Sequence, residues 1–288
     1  MSEQKPAAPK KILESSPLSG IAVPLAIVLV GALIIFGVTK MLSSGKNHRD
    51  LVEELNSKTF GNRWVAAYEL SKFLAGQKIP KEDIPWVIEN LITVYDTTPD
   101  ARTRNFVVLA LGSLNNPLCV DLLNKALVDT DPQVRFNAAV SLGNMPQGTN
   151  VDWKKIEEMI KQDQDQGLKQ VALLTMATHQ KPEVQEIALG LINSSEKTIR
   201  YAAATVLIKF KRQEAVPVLN EIMGLRYDVA LSGELNGAQV EGLKINVLNI
   251  LETSQWKEMR DWVSQIAEKD SNIKVATKAK QVANMLKN

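Results

Sequence analysis

Five pairs of an acidic residue and a basic one four positions later recur with a regular period along the chain: Asp100 and Arg104, Asp131 and Arg135, Asp165 and Lys169, Glu196 and Arg200, Asp270 and Lys274. Opposite charges at this spacing share one face of a helix, so each pair can bond internally or present its base to an outside anion. The acid has a second use. At the start of a helix a carboxylate caps free N–H groups and meets the positive end of the helix dipole. The base then lies one turn later, within reach of its own acid or of the acid in the next copy. Two chemistries follow: a ladder of cations that binds an acidic partner, or an internal ladder that ties the copies together. Repetition favours the second, so these ten residues are expected to be structural.

Other reactive groups are sparse. Two histidines, His48 and His179, cannot build a multi-histidine metal site within one chain, and His179 sits where a helix end needs a polar cap. A single cysteine, Cys119, excludes an intramolecular disulfide framework and falls in an apolar run as a small buried hydrophobe. Ser254-Gln255-Trp256-Lys257 has Ser-x-x-Lys spacing without a partner motif, and there is no phosphate-cradling glycine loop or nucleophile elbow. Glu157-Glu158 and Asp163-Gln164-Asp165 read as solvated surface. No catalytic residue, cofactor, metal or small-molecule substrate is expected, and the chain does not read as an enzyme. With 34 basic against 32 acidic residues, no global field suggests nucleic acid.

The elements that must position these residues are helical. Apolar residues recur at i, i+3, i+4 and i+7, and alternating strands bounded by hairpin turns are missing. Aligned on Arg63, Arg104, Arg135, Lys169, Arg200, Lys244 and Lys274, the chain repeats every ~31 residues with two insertions, as a stacked helical solenoid does. Each unit reads as two helices. The first helices are expected at 48–57, 84–95, 118–128, 153–161, 184–192, 215–223 and 257–267. The second helices are expected at 62–74, 101–114, 133–144, 167–178, 197–210, 238–251 and 272–286. Small residues after the base, such as Ala66-Ala67, Ala138-Ala139 and Ala202-Ala203-Ala204, let neighbouring helices approach closely.

Asp131-Pro132-Gln133-Val134-Arg135-Phe136-Asn137-Ala138-Ala139-Val140-Ser141-Leu142-Gly143 resembles the second-helix signature of HEAT repeats, closest to the short bacterial type also seen in phycobilisome-lyase-like proteins. The resemblance covers about 47–288. The first and sixth units depart from it, with Thr59 and Val240 in place of the acid. It implies an α-solenoid whose curved surface binds another macromolecule. Repeat-built diiron hydroxylases resemble this fold too, but they need several His-Glu pairs and this sequence has no His-Glu dipeptide.

Ahead of the repeats, no residue from 15 to 39 is charged. A run of this length crosses a ~30 Å hydrocarbon core at ~1.5 Å per residue. The expected plan is a disordered tail at 1–17, a single transmembrane helix at 18–42 lodged in the lipid bilayer, a linker at 43–47 and the solenoid at 48–288. Lys5, Lys10 and Lys11 on one side balance Lys40, Lys46 and Arg49 on the other, so the charge rule does not orient it. The fold class is therefore all-α, with an N-terminal transmembrane helix followed by about seven HEAT-like helical hairpins.

Specific function is expected where the repeat is broken. One insertion runs from Lys78 to Asp83; the other is a Gly-bounded loop carrying Arg226, Tyr227, Leu231 and Leu235, the candidate partner-binding residues. Trp256 and Trp262 read as sharing one helix, where an exposed indole would anchor a partner. The expected role is a non-catalytic, membrane-anchored scaffold or adaptor for a protein partner. The alternatives are a lyase-like or chaperone-like subunit acting on a chromophore- or cofactor-bearing protein, and a structural spacer at the membrane.

Overall fold

A computed structural model of the chain describes residues 46–57, 60–76, 79–228 and 235–287. The expected span at 18–42 and the tail at 1–17 lie outside the described residues, as do Thr59 and Leu231. No helix among the described residues is long and apolar enough to cross a membrane. The chain divides into two compact units, Met1–Asp50 and Leu51–Asn288. The first is described from residue 46 to residue 50, where Asn47 Oδ1 accepts the N–H of Arg49 at 2.8 Å and of Asp50 at 3.0 Å, capping the helix that starts there.

Fourteen α-helices and no strand occur among the described residues. The first helices of the hairpins are α1 (His48–Leu55), α3 (Ile84–Thr97), α5 (Val120–Ala126), α7 (Trp153–Gln162), α9 (Val184–Leu191), α11 (Val216–Met223) and α13 (Arg260–Lys269). The second helices are α2 (Phe60–Ala75), α4 (Ala101–Leu114), α6 (Pro132–Gly143), α8 (Gln166–Thr178), α10 (Lys197–Lys209), α12 (Gly237–Ser254) and α14 (Ile273–Met285).

Local chemistry sets the helix ends. Asp100, Asp131 and Asp165 each accept N–H groups of the first turn of the helix that follows, and Asn236 and Gln239 form a reciprocal capping box for α12. Pro132 occupies the first position of α6, where its missing N–H costs nothing. Four of the second helices, α4, α8, α10 and α12, are followed by a residue at positive φ: Asn115, Gln180, Lys211 and Gln255. These residues turn the chain into the next hairpin.

The expected hairpins are present, with shifted ends. Trp256 is a correction: it does not share a helix with Trp262 but precedes the short 3₁₀ turn Lys257–Met259 and is 1% exposed in the core. Trp262, on α13, is half-buried and donates through Nε1 to Asn220 Oδ1 at 2.7 Å. Helix α12 begins well before its basic residue, so Val240 lies inside it, buried, rather than at its cap.

From α4 onward each second helix packs on its own first helix, and the second helices pack on one another in series from α2 to α14. The seventh residue after six of the bases points into this layer: Leu70, Leu111, Leu142, Met176, Leu207 and Leu251 are fully buried. Replacing one of these leucines by alanine should cost roughly 2–5 kcal/mol. The backbones come close because small residues line the contact. A Cβ on Gly112 would overlap Ser141 Oγ, and Thr175 Oγ1 reaches the Ala139 carbonyl at 3.0 Å. The first helices make fewer contacts with one another. A layer spaced more tightly than its partner bends the stack toward itself, so the second helices form its inner side.

Candidate functional site

The acid–base pairs do not close one turn apart. Arg104 is bidentate to Asp129, Nε to Oδ2 at 2.8 Å and Nη2 to Oδ1 at 2.9 Å, rather than to Asp100. Arg135 reaches Asp163 at 3.1 Å, Arg200 holds Glu221 at 2.7 and 3.0 Å, and Lys244 holds Asp270 at 3.0 Å. In each case the base of one unit bonds to an acid of the next. The arginines also turn back to the carbonyls of their own hairpin turn: Thr98 and Pro99 for Arg104, Asp129 and Thr130 for Arg135, Ser194 and Ser195 for Arg200. Each guanidinium thus ties a turn, a helix and the following repeat together.

Three of the partner acids stand two residues before the helix cap. Asp129, Asp163 and Asp270 accept the backbone N–H of Asp131, Asp165 and Asn272 at 2.9 Å each. The division of labour is therefore different from the one the spacing suggests: the second acid of Asp129-Thr130-Asp131 caps, and the first forms the bridge. Asp163, read above as solvated surface, is a bridge residue with a side chain 15% exposed. The readable signal was the Asp-x-Asp or Asp-x-Asn triplet ahead of three of the second helices.

Tyrosines complete the knots. Tyr95 donates its hydroxyl to Asp129 at 2.6 Å, Tyr227 to Asp270 at 2.6 Å and Tyr201 to Glu221 at 2.8 Å. Burial pushes the Asp129 carboxyl up, but the hydrogen bonds from Arg104, Tyr95 and the Asp131 N–H more than offset it and hold it at about 2. Burial and the bond to Glu221 push Tyr201 up to about 12. The Lys244 ammonium is almost wholly buried, bonded to Asp270 and 4.3 Å from the centre of the Tyr227 ring. No buried side-chain N or O among the described residues lacks a partner.

The remaining residues of the expected ladder separate. Asp270 caps no helix; Asn272 caps α14, and Lys274 turns back to Glu241 of the preceding unit at 2.8 Å, there being no further described unit ahead of it. Glu196 stands at the cap position of α10 without a side-chain capping bond. Lys169 makes no ion pair among the described residues, because Ser194 stands where the bridging acid would be.

The loop residues are not brought together either. Arg226 is 73% exposed and paired with Asp228 at 2.7 Å, whereas Tyr227 is turned inward as part of the knot around Asp270, and Leu235 is half-buried. Tyr227, Lys244 and Asp270 line a cavity of about 440 Å³ with Met223, Lys269 and Ser271. Among the described residues no three His, Cys, Asp or Glu side chains come together as a metal would need.

A cluster that the spacing did not predict lies on the inner layer. Trp64 and Tyr68 of α2 meet Phe106 of α4, with ring centres 6.3 Å apart and near-parallel for Trp64, 5.4 Å and edge-on for Tyr68. Lys72 Nζ sits 3.9 Å from the Tyr68 ring centre, and the Arg102 guanidinium 5.8 Å from that of Trp64. Val65 and Tyr68 are about 40% exposed. Next to the cluster, Asn137 of α6 donates through Nδ2 to Asn105 Oδ1 of α4.

This fold and this repeated knot define an all-helical repeat solenoid. Its sequence matches the family described as HEAT repeats over residues 88–177 and, overlapping, 153–230. The fold is similar to that in the complex of CpcE and CpcF of phycocyanin lyase from Nostoc sp. PCC7120, at 14% identity and a TM-score of 0.55, covering 84% of this chain and 95% of that one. It is also similar to YibA of E. coli, at 14% identity and a TM-score of 0.53, covering 82% of this chain and 81% of that one. These likenesses concern the fold alone. No curated protein matches the chain in sequence.

Proposed function

We propose that this protein is a non-catalytic scaffold that holds a protein partner on the inner, second-helix face of its solenoid and is tethered to a bilayer through residues 18–42. The observation that carries the reading is the exposed aromatic and apolar surface of α2, where Tyr68 and Val65 are about 40% exposed and the Trp64 and Tyr68 rings join Phe106 of α4 in one cluster. The ladder supports it indirectly. It uses the strongest charges to fix one repeat on the next, so the inner face is a rigid surface that need not reorganise to bind.

A photo-crosslinking residue at Leu109 or Val140, in native membranes, should capture a discrete partner that the same residue at Glu158 on α7 does not. Equal capture from both faces, or none from the inner one, would sink the proposal. Protease access to a C-terminal tag in sealed vesicles would report the side on which the repeats lie; release of the full chain by carbonate washing would remove the tether.

The fold shared with a phycocyanin lyase complex favours one second reading, a lyase-like or chaperone-like subunit acting on a chromophore-bearing protein. The cavity beside Tyr227, Lys244 and Asp270 is where such chemistry would be sought. A linear tetrapyrrole added to the full chain should then shift its visible absorbance, and Lys244→Met should abolish the shift.

A further inference from the structure

We propose that Ser194 is a phosphorylation site, and that a phosphate there closes the rung that the ladder lacks between the fourth and fifth hairpins. The bridging acids divide their two oxygens between two tasks. In Asp163 and Asp270, Oδ1 accepts the backbone N–H two residues on, at 2.9 Å, and Oδ2 receives the base of the preceding unit, at 3.1 and 3.0 Å. Ser194 Oγ performs the first task, accepting the Glu196 N–H at 3.2 Å, and has no second oxygen for the other. Lys169 stands 25 residues before it, the same separation as Arg104 from Asp129, and makes no ion pair among the described residues. A lysine is long enough for the bridge, because Lys244 makes it to Asp270. What this joint lacks is therefore the acceptor and not the base.

A phosphoryl group supplies that acceptor. Its ester oxygen is Ser194 Oγ, and its terminal oxygens project beyond it with a charge of about −2. The group comes from a nucleoside triphosphate through a serine kinase. An Oγ–P bond forms, the bond from the γ-phosphorus to the β–γ bridging oxygen breaks, the nucleoside diphosphate leaves and the hydroxyl proton passes to solvent. Arg200 donates to the Ser194 carbonyl but is already held by Glu221, so Lys169 is the cation left to pair. Glu196 is the like charge beside the site, and it is exposed and free of a capping bond, so it can turn away. Ser194 itself is half-buried in the turn between α9 and α10, with Asn193, Ser195 and Lys197 exposed around it. At the first joint Thr98 plays the same part opposite Arg63, its Oγ1 accepting the Asp100 N–H at 3.3 Å, but it is 6% exposed and closed to an enzyme. Because the stability of a solenoid is a sum of neighbour terms, one added rung stiffens one joint and leaves the others as they were.

The test has two arms, both on the full chain. In the first, phosphoserine is placed at position 194 during synthesis and backbone amide exchange is compared with the unmodified chain. Amides of α8 and α10 are expected to exchange roughly fivefold more slowly, and those of α4 unchanged. Lys169→Gln should abolish the gain, and phosphoserine at position 195, one residue out of register, should not reproduce it. No gain, a gain that survives Lys169→Gln, or an equal gain from position 195 overturns the rung. Should the phosphoserine chain lose its helical signal, Ser194→Asp, which restores the carboxylate that Asp129 and Asp163 carry at this place, is required to raise the urea midpoint in a Lys169-dependent way or the proposal falls. In the second arm, the chain is purified from its own cells with phosphatases inhibited and its peptides are weighed. Phosphate on Ser194, removed by added phosphatase, is the expected result. Its absence in both growing and starved cells overturns the assignment of the site. Neither arm depends on a partner, so failure here leaves the scaffold reading to the crosslinking experiment.

Discussion

Arg104 bonds to Asp129, 25 residues further on, and not to Asp100 in the turn before it. That relationship recurs with other side chains in at least three more units and makes each repeat's position depend on the next one. In a solenoid, stability is a sum of repeat and nearest-neighbour terms. The bridge belongs to the neighbour term and the helix cap to the repeat term, and the two acids of one Asp-x-Asp triplet separate them.

Asp129→Ala should therefore cost more than Asp100→Ala. Removing Asp129 strands the Arg104 guanidinium and the Tyr95 hydroxyl, so a loss of roughly 3 kcal/mol is expected. Removing a cap should cost about 1 kcal/mol. Urea midpoints of the two variants would decide; equal losses would contradict the assignment of the bridge.

Asp129 also predicts an acid limb. Its carboxyl titrates at about 2 in the folded chain against an ordinary 3.8. A depressed pKa gives stability that is fully present above the unfolded value and lost as pH falls through the folded one. The window is therefore between about pH 4 and pH 2, and its size is about 2 kcal/mol. Asp129→Asn should flatten that part of the stability–pH curve while leaving the rest of the acid limb in place, as read by urea unfolding at each pH.

Gly112→Ala should destabilise by roughly 2–3 kcal/mol, because the added Cβ would overlap Ser141 Oγ and lie 2.5 Å from Ser141 Cβ. Ser141→Gly in the same chain should restore most of the loss. Thermal melts of the single and double variants test this; absence of rescue would place the crowding elsewhere.

Arg226 and Tyr227 are adjacent in sequence but should behave differently. Arg226→Ala removes a fully exposed pair and should leave the unfolding midpoint unchanged within error. Tyr227→Phe removes the hydroxyl bonded to Asp270 and should cost about 1 kcal/mol, and Lys244→Met, which leaves Asp270 buried without its cation, about 3 kcal/mol. Equilibrium unfolding of the three variants orders them.

Much of this architecture could be read from the chain. The i, i+3, i+4, i+7 stripes, the Asn-Pro and Asp-Pro turns and the recurrent Arg or Lys locate seven hairpins, because helix periodicity and capping are local properties. Asp131 and Asp165 cap the helices they precede for the same reason. The spacing left the partners open. A four-residue spacing says only that two charges can meet, and Arg104 had two acids in reach. The winner was the one held rigid and partly dry by the following repeat, where a bidentate bond is stronger than an exposed i, i+4 pair.

The sequence by itself determined the helices, their caps and the repeating small residues that bring second helices together, since each follows from residues a few positions apart. Only the tertiary structure decided which acid receives which base, that Tyr227 faces inward while Arg226 stays out, and that Trp64, Tyr68 and Phe106 meet on the inner layer. The last three residues come from two hairpins separated by the insertion at Lys78–Asp83, and their contact depends on how closely α2 and α4 approach. That distance is set by packing across the whole interface, a sum over many side chains that no local spacing records.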